Sequence, residues 1–130
     1  MNKIAVLALS IAVAGLPGYA HHSAGSTYDV SQVMTLKGKI VQVSLRSPHS
    51  FFFIEAEDSK GAVQRWAIEG AAAGQFARQG VDKDSFKVGD AVEVVYCPAR
   101  SPESPRGLLK KIVRPGDGKS WGSRPGEEVN

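Results

Sequence analysis

Thr35-Leu36-Lys37-Gly38-Lys39-Ile40-Val41-Gln42-Val43-Ser44-Leu45 reads as a β-strand that changes phase in its middle. Met34, Leu36, Gly38 and Ile40 alternate with more polar residues, so they share one face of an extended chain. Beyond Ile40 the apolar positions are Val41, Val43 and Leu45, in the opposite phase. Successive side chains point to opposite faces, so this one-residue slip predicts a bulge or sharp bend near Gly38–Val41. A long first strand bent in its middle is what a small closed barrel requires.

The flanking sequence supports that reading. Ser47-Pro48-His49-Ser50 ends the strand, because proline cannot donate to a ladder and restrains the residue before it. Phe51–Glu57 is a second strand with Phe52, Ile54 and Ala56 on one face and Phe51, Phe53 and Glu55 on the other. Asp58-Ser59-Lys60-Gly61 makes a turn, and Val63–Glu69 a third strand around Trp66 and Ile68. In Gly70–Gly80, Ala72, Ala73, Phe76 and Ala77 recur at helical spacing, and Gly80 suits the end of a helix. Ala91–Cys97 is a fourth strand with Val92, Val94 and Tyr96 in phase, and Leu108–Val113 a fifth. Three strands, a short helix and two strands is the order of a mainly β, five-stranded OB-like barrel. A small β-sandwich is the main alternative, and the single helix after the third strand favours the barrel.

Residues 1–20 read as a secretory leader. Lys3 supplies a positive start, Ile4–Leu16 an apolar stretch, and Pro17-Gly18-Tyr19-Ala20 the small residues before a cut. The apolar stretch is shorter than the roughly 20 residues a bilayer span needs. A periplasmic or secreted address follows, with no membrane anchor after cleavage. Ala12-Val13-Ala14 is a competing cut site that would leave a shorter apolar stretch. Residues 21–32 form a polar arm, residues 33–114 the barrel domain, and residues 115–130, rich in glycine, proline and charge, a disordered tail in which Trp121 alone suggests a contact. The net charge of +3 and an exported address argue against nucleic acid as a partner. The single cysteine, Cys97, excludes an internal disulfide and reads as a small buried hydrophobe.

All three histidines lie in two short motifs. A cut after Ala20 would leave His21-His22-Ser23 as the new N-terminus. The α-amine and the Nδ1 of His21 would then form a chelate, with a remote His49 as third nitrogen, a set that suits divalent copper. Alternatively the amine, the His22 amide and the His22 imidazole would offer donors in one plane. Both arrangements need a deprotonated amine, whose reference pKa of roughly 7.7–8 makes this easy for a metal to achieve. Zinc could use the same imidazoles, completed by His22 or Asp29. A shared site has a geometric condition. The arm and His49 lie at opposite ends of the first strand, roughly 40 Å apart if it is straight, so the arm must run back alongside it.

The metal-free alternative is a surface of Phe51, Phe53 and Arg65, which resembles the stacking surfaces OB folds use, together with the 98–106 loop. Its partner would be a protein, a glycan or a small ligand. Trp66 reads as core, and Lys110, Lys111 and Arg114 as a solvated edge. Nucleophile elbow, zinc-protease helix and phosphate loop are all missing, and the acids are scattered over turns, so the chain does not read as an enzyme. A copper oxidase or monooxygenase is the one enzymatic class the histidines would suit.

His21-His22-Ser23, Thr35–Val43, Ser47-Pro48-His49, Trp66 and Ser85–Asp90 together resemble an uncharacterised family of small exported bacterial proteins. The resemblance covers roughly residues 20–114 and implies an exported OB-like domain of unknown function. Members of that family generally read Asn-Pro-His where this chain has Ser47.

Overall fold

In the computed structural model, which describes residues 24–122, the phase change of the first strand is a β-bulge. Strand β1 (Met34–Ser44) pairs with β2 (Ser50–Glu57) through Ile40↔Ile54 and then Gln42↔Phe53, so Val41 is the extra residue. Ile40 packs in the core before the bulge, and Val43, opposite Phe52, packs against it afterwards. Gly38 precedes the bulge where the two backbones nearly touch. A Cβ there would lie 2.3 Å from the Glu55 carbonyl oxygen and 2.7 Å from Ile54 Cγ2. Only glycine allows that approach.

Strand β3 (Val63–Gly70) pairs antiparallel with β2 over the full length of both strands, completing the expected meander. Strand β4 (Ala91–Pro98) returns antiparallel to the other edge of β1. Strand β5 (Arg106–Arg114) runs antiparallel to β4 and parallel to β3, through Ala67↔Arg106, Ile68↔Gly107 and Glu69↔Leu108. The ring β1-β2-β3-β5-β4 therefore closes, in OB order. Ile40, Phe52, Ile54, Ile68, Val92, Val94, Tyr96 and Ile112 fill it.

Between β3 and β4 the short helix α2 (Ala73–Arg78) caps one end of the barrel. Of Ala72, Ala73, Phe76 and Ala77, the structure buries only Phe76, because so short a helix offers one residue to the core. The Phe76 ring stands edge-on to Phe52, with centroids 5.9 Å apart, and Phe86 does the same from the connector at 6.0 Å. Gly80 takes φ 79°, as expected of the residue that closes a helix.

Two segments are more ordered than their composition suggested. Within the tail read as disordered, β6 (Lys119–Gly122) pairs with β5 outside the ring, and Trp121 lies 4.6 Å from Phe76. The reason lies in Arg114, which is not a solvated edge residue. Its guanidinium donates to both carboxylate oxygens of Asp117, at 2.9 and 2.7 Å, and to Asp90 Oδ2 at 2.9 Å. It also donates to the Ser85 carbonyl at 2.7 Å, tying the connector to the turn that launches β6. The arm is likewise docked. After the single turn α1 (Ala24–Thr27), Tyr28 bridges to Ala99, Asp29 N donates to Pro98 O at 2.8 Å and Arg100 N donates to Thr27 O at 3.0 Å. The leader, residues 21–23 and residues 123–130 lie outside the described residues.

Gly38→Val is expected to cost about 2 kcal/mol or more in urea unfolding, since it forces β1 from β2, whereas Lys39→Ala should change stability by under about 0.5 kcal/mol. A second expectation concerns acid. The Arg114 fork holds the Asp117 carboxyl down from 3.8 to about 2, and the Lys87 amide and Arg114 hold Asp90 low. Groups depressed in the folded state stabilise it above their ordinary range, and that contribution disappears as pH falls through the folded value. Urea midpoints should therefore drop between about pH 4 and pH 2, and the drop should be shallower in Arg114→Gln.

Candidate functional site

The register of the ring defines its outer face. Across β1, β2 and β3 three outward rows run Lys39–Glu55–Arg65, Gln42–Phe53–Ala67 and Ser44–Phe51–Glu69. Phe51 and Phe53 are stacked with ring centroids 6.1 Å apart and planes 25° from parallel. The Arg65 guanidinium sits 4.9 Å over the Phe53 ring and is steadied by a 2.6 Å hydrogen bond from its Nη2 to Gln42 Oε1. The three residues expected to form a surface, Phe51, Phe53 and Arg65, are thus brought together.

The same face ends in a carboxylate. Glu69 Oε2 accepts a 2.5 Å hydrogen bond from the Tyr28 hydroxyl and lies 3.9 Å from Arg106 Nη2. Glu69 Oε1 lies 3.2 Å from His49 Nδ1. The Glu69 side chain is 16% exposed and the His49 side chain 57%. Burial, and then the bond to Glu69, push the Tyr28 hydroxyl well above its ordinary pKa. Tyr28 is therefore a fixed donor to Glu69.

His49 sits on a loop closed by its neighbours. The Ser47–Pro48 peptide is cis. Ser50 is fully buried, its hydroxyl accepting from Arg46 N at 3.2 Å and donating to Arg46 O at 3.3 Å. Arg46 O also accepts from Ala73 N at 2.9 Å, and Ser50 N donates to Ala71 O at 3.1 Å, so α2 buttresses the loop. Nδ1 is the ring nitrogen beside Glu69, which leaves Nε2 as the nitrogen open to a ligand.

Of the residues expected to bind metal, His49 is placed, whereas His21 and His22 lie outside the described residues. Among the described residues no group of three or more His, Cys, Asp or Glu could hold a metal ion. Asp29, offered as an additional zinc donor, instead accepts from Ser31 Oγ at 2.6 Å and Gln32 Nε2 at 2.8 Å. Those bonds, Ser31's first, lower its pKa. Cys97 is fully buried, and burial raises its thiol pKa, as suits a core residue. Glu69, Tyr28 and Arg106 had not been singled out. Glu69 was within reach, since it shares a strand phase with Arg65, but nothing local to Tyr28 tells that it bonds a residue 41 positions away.

A second feature is the open end of the barrel, opposite the end that Phe76 caps. Trp66, expected to be core, is only partly buried there, 5.4 Å from the Tyr96 ring. The arm and the 98–105 loop wall a cavity of about 290 Å³ over these two rings.

A closed, OB-like barrel with an aromatic outer face is compatible with a binding module. The chain belongs to a family of unknown function (DUF6152), whose sequence profile matches residues 8–109. No protein in the curated set matches it. Among solved structures, a mitochondrial single-stranded DNA-binding protein from S. cerevisiae is similar at 16% identity, over 62% of this chain and 90% of that one, with a TM-score of 0.47. Among the described residues, no helix is long and apolar enough to cross a membrane.

Tyr28→Phe removes a donor from a largely buried carboxylate, at a cost of about 1–3 kcal/mol. Hydrogen exchange should accelerate at the Tyr28 and Asp29 amides while the β1–β2 amides stay protected.

Proposed function

We propose that this protein is an exported binding module, not an enzyme, that takes up copper, or zinc in its place, through its mature N-terminus and His49. The observation that supports this reading is the Glu69 carboxylate, which accepts from the Tyr28 hydroxyl and lies 3.2 Å from His49 Nδ1. A shared site required the arm to run back along β1 to the His49 end. Tyr28, six positions after His22, docks on Ala99 instead, and its hydroxyl reaches across to the Glu69 carboxylate that lies beside His49. Glu69 also supplies the partner that metal-ligating histidines usually have. A carboxylate on one ring nitrogen fixes the tautomer and raises the basicity of the other.

In this proposal the α-amine and Nδ1 of His21 chelate the ion and His49 Nε2 adds a third nitrogen, with the His22 imidazole as the alternative in-plane donor. A nitrogen-rich set of this kind favours divalent copper over zinc. The bound ion would supply a positive charge at the edge of the aromatic face, next to Phe51. The reading also rests on cleavage after Ala20 and a periplasmic or secreted address.

A second, metal-free reading draws on the Phe51–Phe53 stack under Arg65, a surface suited to a planar or apolar partner. The partner would be a protein, a glycan or a small ligand, and single-stranded nucleic acid is the competitor to be titrated beside them.

Copper titration separates the readings. Protein beginning at His21 is expected to bind with a dissociation constant below micromolar. One additional N-terminal residue should weaken binding at least tenfold, and Glu69→Gln about tenfold. Equal binding by both forms, or none below micromolar, overturns the metal reading. Ligand binding lost in Phe53→Ala and indifferent to chelators would establish the second.

A further inference from the structure

The mouth of the barrel borders the Glu69 cluster at Tyr28 but is lined by other residues, among them those of the 98–105 loop, and neither the metal site nor the Phe51–Phe53 stack occupies it. Its floor is the Trp66 and Tyr96 rings, with Met34 beside Tyr96 in the register, and Pro102 stands on the facing loop. Concave, mostly apolar sites with a few polar groups at the rim are the usual form of a small-molecule pocket, and barrel mouths are among their common places. At about 290 Å³ this cavity is at the small end of that class, the size for a single ring with one substituent.

The rim decides what the substituent is. It holds one anion, Asp29, and one cation, Arg100. Asp29 is occupied within its own turn: Oδ1 accepts from Ser31 N and Ser31 Oγ, and Oδ2 accepts from Gln32 Nε2. Arg100 spends its Nε–H on the Gly25 carbonyl, at 2.6 Å, which anchors the guanidinium and leaves its two terminal amino groups for bonding. An anchored guanidinium with its terminal fork available matches a carboxylate bidentately. The polarizable Met34 sulfur and the two rings favour an aromatic surface below it.

We propose that the mouth of the barrel is a binding site for a small aromatic carboxylate, its ring over Trp66 and Tyr96 and its carboxylate on Arg100. The Arg100 charge selects against a cationic ligand, while Asp29 has its oxygens engaged by Ser31 and Gln32. The site is independent of any metal, and its walls are the docked arm and the 98–105 loop, so it exists only while the arm is in place.

The test uses benzoate, benzyl alcohol and benzylamine, titrated into the processed protein with a chelator present and followed by amide and indole N–H shifts. Benzoate should bind in the millimolar range or tighter and shift the Trp66 indole and the Ala99 and Arg100 amides. Benzyl alcohol and benzylamine should bind at least tenfold more weakly. Arg100→Gln should lose at least tenfold, and Arg100→Lys, which keeps the charge without the fork, should fall between. Met34→Trp, which fills the mouth, should abolish binding while the spectrum of the barrel persists. Equal binding of the three probes, binding unchanged in Met34→Trp, or no benzoate binding at ten millimolar overturns the proposal.

Discussion

Everything in this barrel depends on one strand serving two neighbours. β1 is 11 residues long and pairs with β4 through its first half and β2 through its second. A straight strand could not bend around a ring this small while keeping its apolar residues inside. The extra residue at Val41 solves both problems, since it turns the strand and moves the inward set from Ile40 to Val43. Gly38 makes the bend possible by letting the Glu55 carbonyl lie where any other residue would carry its Cβ. Once β1 is bent, β3 and β5 meet in parallel and the ring is shut.

Closure also arranges the surface. Pairing Phe51 with Glu69 and Phe53 with Ala67 puts the aromatic stack and the carboxylate on one outer face, and pairing Glu69 with Leu108 brings Arg106 alongside. Glu69 then joins three parts of the chain that are remote in sequence: the arm through Tyr28, the first loop through His49 and the last ring strand through Arg106. A carboxylate so largely withdrawn from water is tolerable because Tyr28 hydrogen-bonds it and the His49 and Arg106 side chains stand within ion-pair distance. Its usefulness is positional, because it holds the arm and the imidazole in one place.

Strand phase was legible in the sequence because alternation is a local signal. The slip at Val41, the inward set Phe52, Ile54 and Ala56, and the outward Phe51, Phe53 and Arg65 could all be read from neighbouring residues. What was not legible depends on long-range pairing. Tyr28 sits in an aperiodic stretch, and its burial to 1% follows from docking on Ala99, far along the chain. β6 lies among glycines and charges that resemble a coil, and it forms because Arg114 forks onto Asp117 and Trp121 covers Phe76. The candidate site divides the same way. His49 was readable as a motif, whereas its carboxylate partner emerges only when β3 ends beside the first loop.

The central claim is that one metal ion joins the mature N-terminus to His49. Pulsed electron paramagnetic resonance of the copper-loaded, processed protein counts the imidazoles around the ion directly. The account predicts that His49→Ala removes one coordinated imidazole and leaves the amine-bearing chelate in place. An imidazole count unchanged by His49→Ala would contradict it.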